Sequence, residues 1–339
     1  MHDVRAAGRL LWDHGIMHEV LLANPTGKPW CTGLAIAREA MAGPWPEGDL
    51  ALSVTGLGVT PLLLAGGLQS SLDEIAAQKA LAAFALTEPD AGSDAAALTT
   101  RAVRDGRGYQ LHGVKRFISL GDEALFLTVF ARTGEGNITA FLVRRAQPEI
   151  QTTMLENAGG EALYSIEFDG ARTEAIVGLE GEGLRLALTT LGFFRASVGA
   201  QGIGIGRQAL RLALARAASR RQFNRSIGSF GEVQSLLVES YLALLTARSV
   251  VRDAADRLDA GEEASQLSSA AKILGTEAGS RAADAAVAIF GGEGVLRDGP
   301  VFRLLERSRA PRIYEGANEL QRHLVARWLL RQTDPLEEA

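Results

Sequence analysis

Two short segments of this 339-residue chain carry side chains that could do chemistry. The first runs from Arg312 to Arg322, reads RIYEGANELQR, and places the carboxylate of Glu315 beside Gly316. A glycine lets the backbone come close to a bound molecule, so Glu315 is a candidate base for removing a proton. A Glu-Gly pair is also a common helix end, and alone it would carry little weight.

The second segment, Leu86 to Asp94, reads LTEPDAGSD. Pro89 fixes one turn dihedral angle, and Gly92 allows the backbone to approach a ligand. The hydroxyl groups of Thr87 and Ser93 can donate hydrogen bonds, so the loop could hold a pyrophosphate or the polar edge of a ring. The same residues also make an ordinary turn between a helix and a strand. The motif by itself leaves both interpretations open.

Two further segments are ambiguous in the same way. Arg220 to Phe223 places cations and an aromatic ring at the end of a predicted helix, where they could complement the helix dipole or clamp a phosphate. Gly291-Gly292 could cap a helix or let it meet a ligand closely. Four glycines at 199, 202, 204 and 206 lack the dinucleotide spacing and follow a helical pattern. They predict close helix packing instead.

Composition excludes several classes of function. A formal net charge of -5 argues against a nucleic-acid groove, and the one cysteine, Cys31, excludes an internal disulfide and a cysteine metal cage. The five histidines are scattered without a carboxylate-rich partner segment, so we expect no metal site. Only four cations are lysines, a scarcity to which the sequence alone gives little functional weight.

Targeting signals are not visible in the sequence. The segment from His2 to Arg9 is polar, and no apolar run of signal-peptide type follows it. The most apolar stretch, Leu52 to Leu68, is interrupted by a threonine, a proline and four glycines, which argues against a membrane span. These features predict a soluble cytoplasmic protein.

Periodicity divides the chain into three zones. Residues 1–83 have helical spacing, residues 84–180 have short alternating or apolar runs typical of strands, and residues 181–339 return to the helical period. In the last zone we predict long helices over 182–221, 230–260 and 264–290, with shorter ones over 299–308 and 315–331. Their lengths and connections favour a helical bundle.

Taken in order, five segments resemble the acyl-CoA dehydrogenase family. They are TEPDAGSD, KRFISLGD (Lys115 to Asp122), RRQFNRSIGSFGEVQ (Arg220 to Gln234), IFGGEG (Ile289 to Gly294) and RIYEGANELQR. The resemblance runs from about residue 34 to residue 331. It implies an α+β fold with a shortened N-terminal helical domain, a middle β-barrel-like domain and a C-terminal four-helix bundle.

The resemblance implies a flavin enzyme that binds FAD and an acyl-CoA. In the family, a base on the YEG segment removes the α-proton of the thioester while the β-hydrogen leaves as hydride to the flavin, and Glu315 matches that base. The backbone N–H of the same glutamate and a flavin hydroxyl polarise the carbonyl, where one such donor is worth roughly 3–4 kcal/mol. Burial should raise the pKa of the glutamate.

The family pattern also assigns roles to other positions. Some members place the base at the position that Phe194 occupies here, so Glu315 is the one matched candidate for the base. Arg195 aligns with an arginine that lies near the reacting end of the substrate and is the second catalytic assignment. Substrate contacts are implied for Ser93, Phe194, Arg195, Tyr314 and Gly316. Flavin contacts are implied for Leu86, Thr87, Gly92, Ser93, Phe117, Ser119, Arg220, Phe223, Gly291, Gly292, Ala317 and Glu319. Of these, Arg220, Phe223 and the glycine pair match contacts to the flavin of a neighbouring subunit, which implies a homodimer or homotetramer.

Several positions depart from the family pattern. Phe117 replaces a tryptophan, Ser119 a threonine, Asn224 a glycine, Gly231 and Ala288 glutamines, and Ala317 a threonine. Each lost polar contact would cost about 0.5–1.5 kcal/mol, so we expect weaker flavin binding. The N-terminal helical domain also looks about 40 residues short, which predicts a more open acyl pocket or one covered by another subunit.

Two alternatives to a dehydrogenase remain at this stage. One is a non-catalytic or cofactor-sharing subunit of a hetero-oligomer, suggested by the short N-terminus and the changed flavin contacts. The other is a flavin oxidase or monooxygenase on the same scaffold. Family members usually pass electrons to an electron-transfer flavoprotein, which is the expected acceptor, but the sequence does not identify a docking surface. The sequence does not predict the length or branching of the acyl chain either.

Overall fold

The computed structural model describes residues 3–332, except residues 25, 107, 135, 158, 160 and 161. The chain forms two compact units. Unit 1 comprises Met1–Trp30 and Leu50–Gly192, and unit 2 comprises Cys31–Asp49 and Phe193–Ala339. The division at residues 83 and 180, which follows secondary-structure content, stays a prediction.

Nine α-helices are present in the described part of the chain. They are α1 (Val4–Asp13), α2 (Cys31–Met41), α3 (Pro46–Ala65), α4 (Gln69–Ala77), α5 (Gly183–Ser219), α6 (Gly231–Asp259), α7 (Ser265–Phe290), α8 (Pro300–Arg309) and α9 (Asn318–Leu329). Single turns of other helix types lie at His18–Leu22, Ala95–Ala97, Ile227–Ser229, Gly291–Val295 and Ala310–Arg312. The three long helices and the first short one predicted after residue 181 are therefore confirmed.

The middle zone folds as a sheet, as the alternating pattern predicts. Its strands are β1 (Ala82–Ala85), β2 (Arg101–Asp105), β3 (Gly108–Ser119), β4 (Phe126–Arg132), β5 (Ile138–Arg144), β6 (Ile150–Met154), β7 (Leu163–Arg172) and β8 (Ala175–Val177). The order is β6-β7-β3-β2-β4-β5-β8, and β1 pairs in parallel with β4. Two-residue strands β9 (Arg221–Gln222) and β10 (Arg225–Ser226) form a separate hairpin. The α+β fold with a central β domain is confirmed.

Burial explains why the central strands are continuous runs of apolar residues. In β4 and β5 every residue except the last is buried, because both faces of these strands are covered. The helix α3 covers part of the sheet in unit 1, where a Cβ on Gly58 would lie 2.7 Å from the backbone nitrogen of Ala83. Continuous apolar runs in this zone therefore mark strands enclosed on two sides.

Most of the apolar stretch from Leu52 to Leu68 lies in one helix, which ends at Ala65. The helix α3 continues through Pro61, and it is the one helix of the described residues with the length and hydropathy of a membrane span. Within its most apolar window, 78% of the residues are buried inside the protein. That is typical of a core helix.

Small residues set the packing of unit 2. A Cβ on Gly199 would lie 2.5 Å from the carbonyl oxygen of Ala271, and one on Gly202 equally close to that of Gly275. On the other helix, a Cβ on Gly279 would overlap the backbone of Gly202. We call this contact of α5 with α7 the glycine seam. It confirms that the glycines serve close helix packing.

Candidate active site

Glu315 lies in a turn rather than in a helix. The helix predicted over 315–331 begins only at Asn318, so that prediction is wrong at its start. The reason is the backbone, since Glu315 has a φ of +53° and Gly316 a φ of +88°. A left-handed conformation is favourable for glycine but costs energy for glutamate, and it persists only where the surroundings hold it.

The turn is held from the side of α9. The φ of Gly316 favours glycine, and a Cβ there would also displace the side-chain nitrogen of Gln321. The Nε2 atom of Gln321 donates to the carbonyl oxygen of Gly316 at 3.2 Å, and its Oε1 accepts from the hydroxyl of Ser269 at 2.8 Å. Gln321 is fully buried. This anchor fixes the chain immediately after the carboxylate.

The carboxyl group of Glu315 is enclosed. The residue as a whole is half-buried, but its Oε2 atom is buried and has no hydrogen-bond partner among the described residues. Burial raises the pKa of Glu315, against the opposing effect of the cations Arg38, Lys272 and Arg195. An enclosed carboxylate with a raised pKa and a free oxygen is suited to accept a proton.

A buried hydrogen-bond chain reaches the residue before the carboxylate. Arg38 donates to Asp49 at 2.8 Å from Nε, and Gln201 donates to the second oxygen of Asp49 at 2.8 Å. The Oε1 atom of Gln201 accepts from the hydroxyl of Tyr314. Burial disfavours the charge on Arg38, yet Asp49 outweighs it, so the pKa of Arg38 is raised. The chain fixes the position of Tyr314.

A buried lysine also acts electrostatically on the carboxylate. Lys272 on α7 has no exposed surface, and its ammonium donates to Oδ1 of Asn318 at 3.2 Å. Burial lowers the pKa of Lys272 to about 8, with Glu315 as the strongest opposing charge. The lysine therefore belongs electrostatically to the surroundings of Glu315.

The residues that the family pattern assigns on α5 lie in the same unit. Arg195 is half-buried, burial lowers its pKa, and its Nε atom has no hydrogen-bond partner among the described residues. Glu315 is the charge that opposes this shift, so the structure brings the two predicted catalytic residues together. Phe194 is fully enclosed, and its carbonyl accepts from Ser197 at 2.8 Å. The substrate role of Phe194 stays a prediction.

Four residues around Glu315 were not predicted from the sequence: Arg38, Asp49, Gln201 and Lys272. A signal was available for two of them. Lys272 is the one charged residue in the run SSAAKILG, and Arg38 lies in the largely apolar helix α2. Lone cations on faces of small and apolar residues are rarely buried without a functional reason. Two of the four lysines, Lys115 and Lys272, are fully buried, so their scarcity was informative.

The loop at 86–94 belongs to unit 1 and is pinned by a buried ion pair. Lys115 lies 2.8 Å from Oε1 of Glu88 and donates to the carbonyl oxygen of Leu86 at 3.0 Å. Glu88 also accepts from the backbone N–H groups of Thr99 and Thr100, at 2.6 and 2.9 Å. Burial opposes its charge, but Lys115 and these donors prevail and lower the pKa of Glu88 to about 2.

Within that loop, the predicted ligand residues differ in exposure. Gly92 and Ser93 are exposed, Thr87 is half-buried, and Leu86 is buried. The carbonyl oxygen of Thr87 accepts from the N–H of Arg116 at 2.8 Å, which ties the loop to β3. The structure therefore brings the loop next to the segment that carries Phe117 and Ser119.

The strand β3 is irregular where it carries Phe117. The register against β7 shifts between Lys115 and Ile118, and Phe117 has a φ of +59°. Its ring is 54% exposed, although a phenylalanine gains most from burial. An exposed aromatic residue on a strained backbone is a feature of binding sites. Ser119 follows at the end of β3 and is half-buried.

Arg220, Gly291 and Gly292, also predicted as flavin contacts, belong to unit 2 and lie at the ends of α5 and α7. Arg216 forms a salt bridge with Glu293 at 2.8 Å, which joins the end of α5 to the turn that contains Gly291 and Gly292. Arg220, one turn later, also acts electrostatically on Glu293. Gly291 has a φ of +66° and is the C-cap of α7, whereas a Cβ on Gly292 would meet nothing.

Phe223 projects from the hairpin that follows. Phe223 and Asn224 form the two-residue turn between β9 and β10, with φ values of +50° and +61°. Asparagine tolerates this conformation better than other non-glycine residues, so Asn224 suits the turn where the family pattern has glycine. The ring of Phe223 is 88% exposed. A ring presented in this way offers a contact to another molecule.

At the start of α9, Ala317 occupies the N-cap position. Its backbone angles of -50° and 148° are those of a capping residue, but alanine has no side chain to accept from the free N–H groups. Glu319 lies in the first turn and is exposed, where its charge complements the helix dipole. Their flavin contacts stay predictions.

Two family models match the chain. Residues 83–170 match the middle domain of acyl-CoA dehydrogenases, and residues 181–330 match the C-terminal domain of acyl-CoA dehydrogenases. A curated relative, the cyclohexane-1-carbonyl-CoA dehydrogenase of Geobacter metallireducens, is 31% identical over 336 residues. That alignment covers 95% of this chain and 88% of the relative.

Solved structures give the same picture of the fold. The glutaryl-coenzyme A dehydrogenase complex with glutaryl-CoA superimposes with a TM-score of 0.88 and 26% identity, over 95% of this chain and 86% of that one. A chain from a structure described as the electron transferring flavoprotein of Acidaminococcus fermentans has a TM-score of 0.81 and 28% identity. It covers 98% of this chain and 99% of its own.

Proposed function

The chain belongs to the acyl-CoA dehydrogenase family, and we propose that it is an FAD-dependent oxidoreductase that converts an acyl-CoA thioester to a 2,3-enoyl-CoA. The observation that carries the proposal is the state of Glu315. Its strained backbone, enclosed oxygen and raised pKa are properties of a base held ready, and a surface glutamate at a helix end has none of them.

The residues present fit a flavin. In unit 1, the pinned loop at 86–94 offers the hydroxyls of Thr87 and Ser93, and Phe117 offers an exposed ring on a strained backbone. A planar cofactor covering that ring would account for an aromatic side chain that the protein itself leaves exposed. Ser119 adds a further hydroxyl. When bound, FAD supplies the two-electron acceptor that the reaction needs.

In the proposed reaction, Glu315 removes the α-proton of the thioester. Its Oε2 atom, which has no partner among the described residues, is the atom that takes the proton. The α-proton is weakly acidic, so the base is effective only if its pKa is brought toward the working pH and its position is fixed. Burial provides the first condition, and the anchors through Tyr314 and Gly316 provide the second.

Arg195 has a supporting role in this proposal. Arg195 and Glu315 interact electrostatically, and the Nε atom of Arg195 has no partner in the described part of the chain. A buried guanidinium donor without an acceptor is costly, and a substrate oxygen or the base itself could satisfy it during turnover. We therefore place Arg195 at the reacting end of the substrate.

The test is flavin reduction by acyl-CoA without oxygen. Purified protein should show oxidised-flavin absorbance, and one member of a panel of saturated straight, branched and cyclic acyl-CoA thioesters should bleach it. Product analysis should then show the 2,3-enoyl-CoA. Glu315→Gln should retain the flavin absorbance and lose bleaching by about 10²-fold or more, the low end of what a positioned base contributes.

Two results would overturn the proposal. One is a flavin-loaded protein that no thioester of the panel reduces, which would favour a partner-subunit role. The other is a Glu315→Gln variant that bleaches at the wild-type rate, which would remove the assignment of the base. Oxygen consumption with a different product would instead indicate an oxidase or monooxygenase.

The partners follow from the same proposal. An electron-transfer flavoprotein is the expected acceptor, and Phe223 and Arg220 on the exposed edge of unit 2 are suited to contact the flavin of a second copy. We therefore propose a homodimer or homotetramer that acts in the cytoplasm. Size measurements with and without flavin, and reduction of an added electron-transfer flavoprotein, test these points.

A further inference from the structure

Lys272 is a buried charge that the fold does not neutralise directly. The other fully buried lysine, Lys115, forms a salt bridge with Glu88 at 2.8 Å. Lys272 has one hydrogen bond, the 3.2 Å contact with Asn318, and no salt bridge to a carboxylate among the described residues. A buried ammonium without a paired carboxylate costs stability. A contribution to stability therefore does not explain why a lysine is buried at position 272.

Asn318 aims the ammonium. The Nδ2 atom of Asn318 donates to the hydroxyl of Thr276 at 3.0 Å and to Glu277 at 3.3 Å. Because both donors of that amide are engaged, its oxygen must face Lys272. Asn318 is fully buried and begins α9, three residues after Glu315. Lys272 on α7 is thus tied to the first residue of α9, the helix that starts directly after the proposed base.

Three cations and one carboxylate act electrostatically on Glu315. Arg38 has the strongest opposing effect on the pKa of Glu315, followed by Lys272 and Arg195. Arg38 is paired with Asp49 at 2.8 Å, and Asp49 acts on Glu315 in the opposite sense to Arg38. Arg195 is partly exposed, so solvent weakens its field. Lys272 is the remaining cation that is fully buried and has no carboxylate of its own.

We propose that Lys272 is a positioning residue for the base, whose ammonium keeps the enclosed carboxylate of Glu315 ionised at neutral pH. The inference rests on the proposed function, since it assumes that Glu315 is the base. Without the lysine, burial would hold a larger fraction of Glu315 protonated, and a protonated carboxyl group cannot accept the α-proton. Lys272 itself is not required to touch the substrate.

Two substitutions separate charge from structure. Lys272→Met removes the charge and the hydrogen bond, whereas Lys272→Gln removes the charge and keeps a donor for Asn318. We expect the acid limb of the pH profile for anaerobic flavin reduction to move to higher pH in both. Below the limb the rate should fall on the order of tenfold, the usual effect of one neighbouring opposite charge. Lys79→Gln, at an exposed lysine, is the matched control and should leave the limb in place.

The unfolding stability of Lys272→Met distinguishes a role in catalysis from a role in folding, because the two roles predict changes of opposite sign. If Lys272 served folding, Lys272→Met would unfold at lower denaturant concentration than wild type. We expect equal or higher stability at pH 7, because the cost of burying the charge of Lys272 outweighs its attraction to Glu315, and methionine removes that cost. An acid limb that coincides with wild type in both variants, or a less stable Lys272→Met with a normal limb, would overturn the inference.

A measurement without substrate keeps the two proposals apart. The raised pKa of Glu315 gives the fold stability that is present at low pH and lost as pH rises through the folded pKa. We therefore measure the unfolding free energy over a series of pH values for wild type and for Lys272→Met, each with and without Glu315→Gln. The pH dependence of the difference within each pair reports the folded pKa of Glu315. In the Lys272→Met background the loss should extend to higher pH, whether or not an acyl-CoA reduces the flavin. An unchanged profile would sink the role of Lys272 and leave the base assignment standing.

Discussion

The ammonium of Lys115 lies 2.8 Å from the carboxylate of Glu88, and neither side chain is more than 3% exposed. The pair connects the loop at 86–94 to β3, so the two predicted flavin-binding segments of unit 1 share one anchor. Every oxygen of Glu88 is engaged by a donor, which makes this a fully satisfied buried network.

Glu88→Gln should therefore destabilise the protein strongly. Removing one partner leaves the Lys115 charge buried and unpaired, at a cost of about 3–5 kcal/mol. Urea unfolding at pH 7 measures this cost. The matched control is Glu74→Gln, which breaks the half-buried pair with Arg144 and should cost about 0–1 kcal/mol. Equal losses in the two variants would contradict the role given to the buried pair.

The same pair predicts a pH dependence of stability. The pKa of Glu88 is lowered to about 2, so its contribution is present above the ordinary carboxyl range and is lost as pH falls through the folded pKa. Wild type should lose stability between about pH 4.5 and 2 more steeply than Glu88→Gln. Parallel unfolding curves of the two proteins over that range would count against the assignment.

Activity should depend on pH through a group that titrates above the usual glutamate range. The base must be ionised, and burial raises the pKa of Glu315, so the rate of flavin reduction should rise with pH through that raised value. Single-turnover bleaching at a series of pH values checks it, with flavin absorbance as the control for cofactor loss. A limb at the ordinary value of about 4.3 would contradict an enclosed carboxylate.

Gly316→Ala should impair both folding and chemistry. The φ of +88° costs an alanine about 1–2 kcal/mol, and its Cβ would overlap Gln321. Glu315 would shift with the turn, so the flavin-reduction rate should fall even in protein that remains folded. Gly231→Ala, at a helical glycine with open space, is the comparison and should be neutral or stabilising by up to about 1 kcal/mol. If the two variants behave alike, the turn is not constrained as described.

Ala317→Ser should stabilise α9. Serine at this N-cap can accept from the free N–H groups of the first turn, a gain of about 0.5–2 kcal/mol. Ala326→Ser, an exposed position inside the same helix, should lose up to about 0.7 kcal/mol because serine is a poorer helix former. Thermal unfolding of both variants gives the sign, and a loss of stability at 317 would show that the cap geometry is not used.

The sequence predicted the fold well because the patterns that define it are long. The helices α5, α6 and α7 extend over seven or more turns, and their apolar period survives local exceptions. The strands β4 and β5 are apolar runs of the right length between turn residues. The start of α9 was wrong because the backbone of Glu315 obeys a local constraint, set by Gln321 and Gly316, that periodicity does not register.

The candidate site was predictable only in part. Glu315 and Arg195 were identified through the family resemblance, and the structure places both in one charged group. The residues that position Glu315 or act on its charge come from α2, α3, α5, α7 and α9, which lie in separate parts of the sequence. The residues next to Arg38 and Lys272 in the sequence do not indicate their partners. Arg38 meets Asp49, Gln201 meets the same carboxylate, and Lys272 meets Asn318 only through tertiary packing.

The glycine seam has a consequence for turnover. Where backbones touch without intervening side chains, two helices cannot approach further, and a roll of either one would drive carbonyl groups into each other. Arg195 lies on one of these helices and Lys272 on the other, so the glycine seam fixes the backbone positions from which the two side chains extend. Any change in the distance between the two charges during turnover must therefore come from side-chain rotation and not from a shift of one helix against the other.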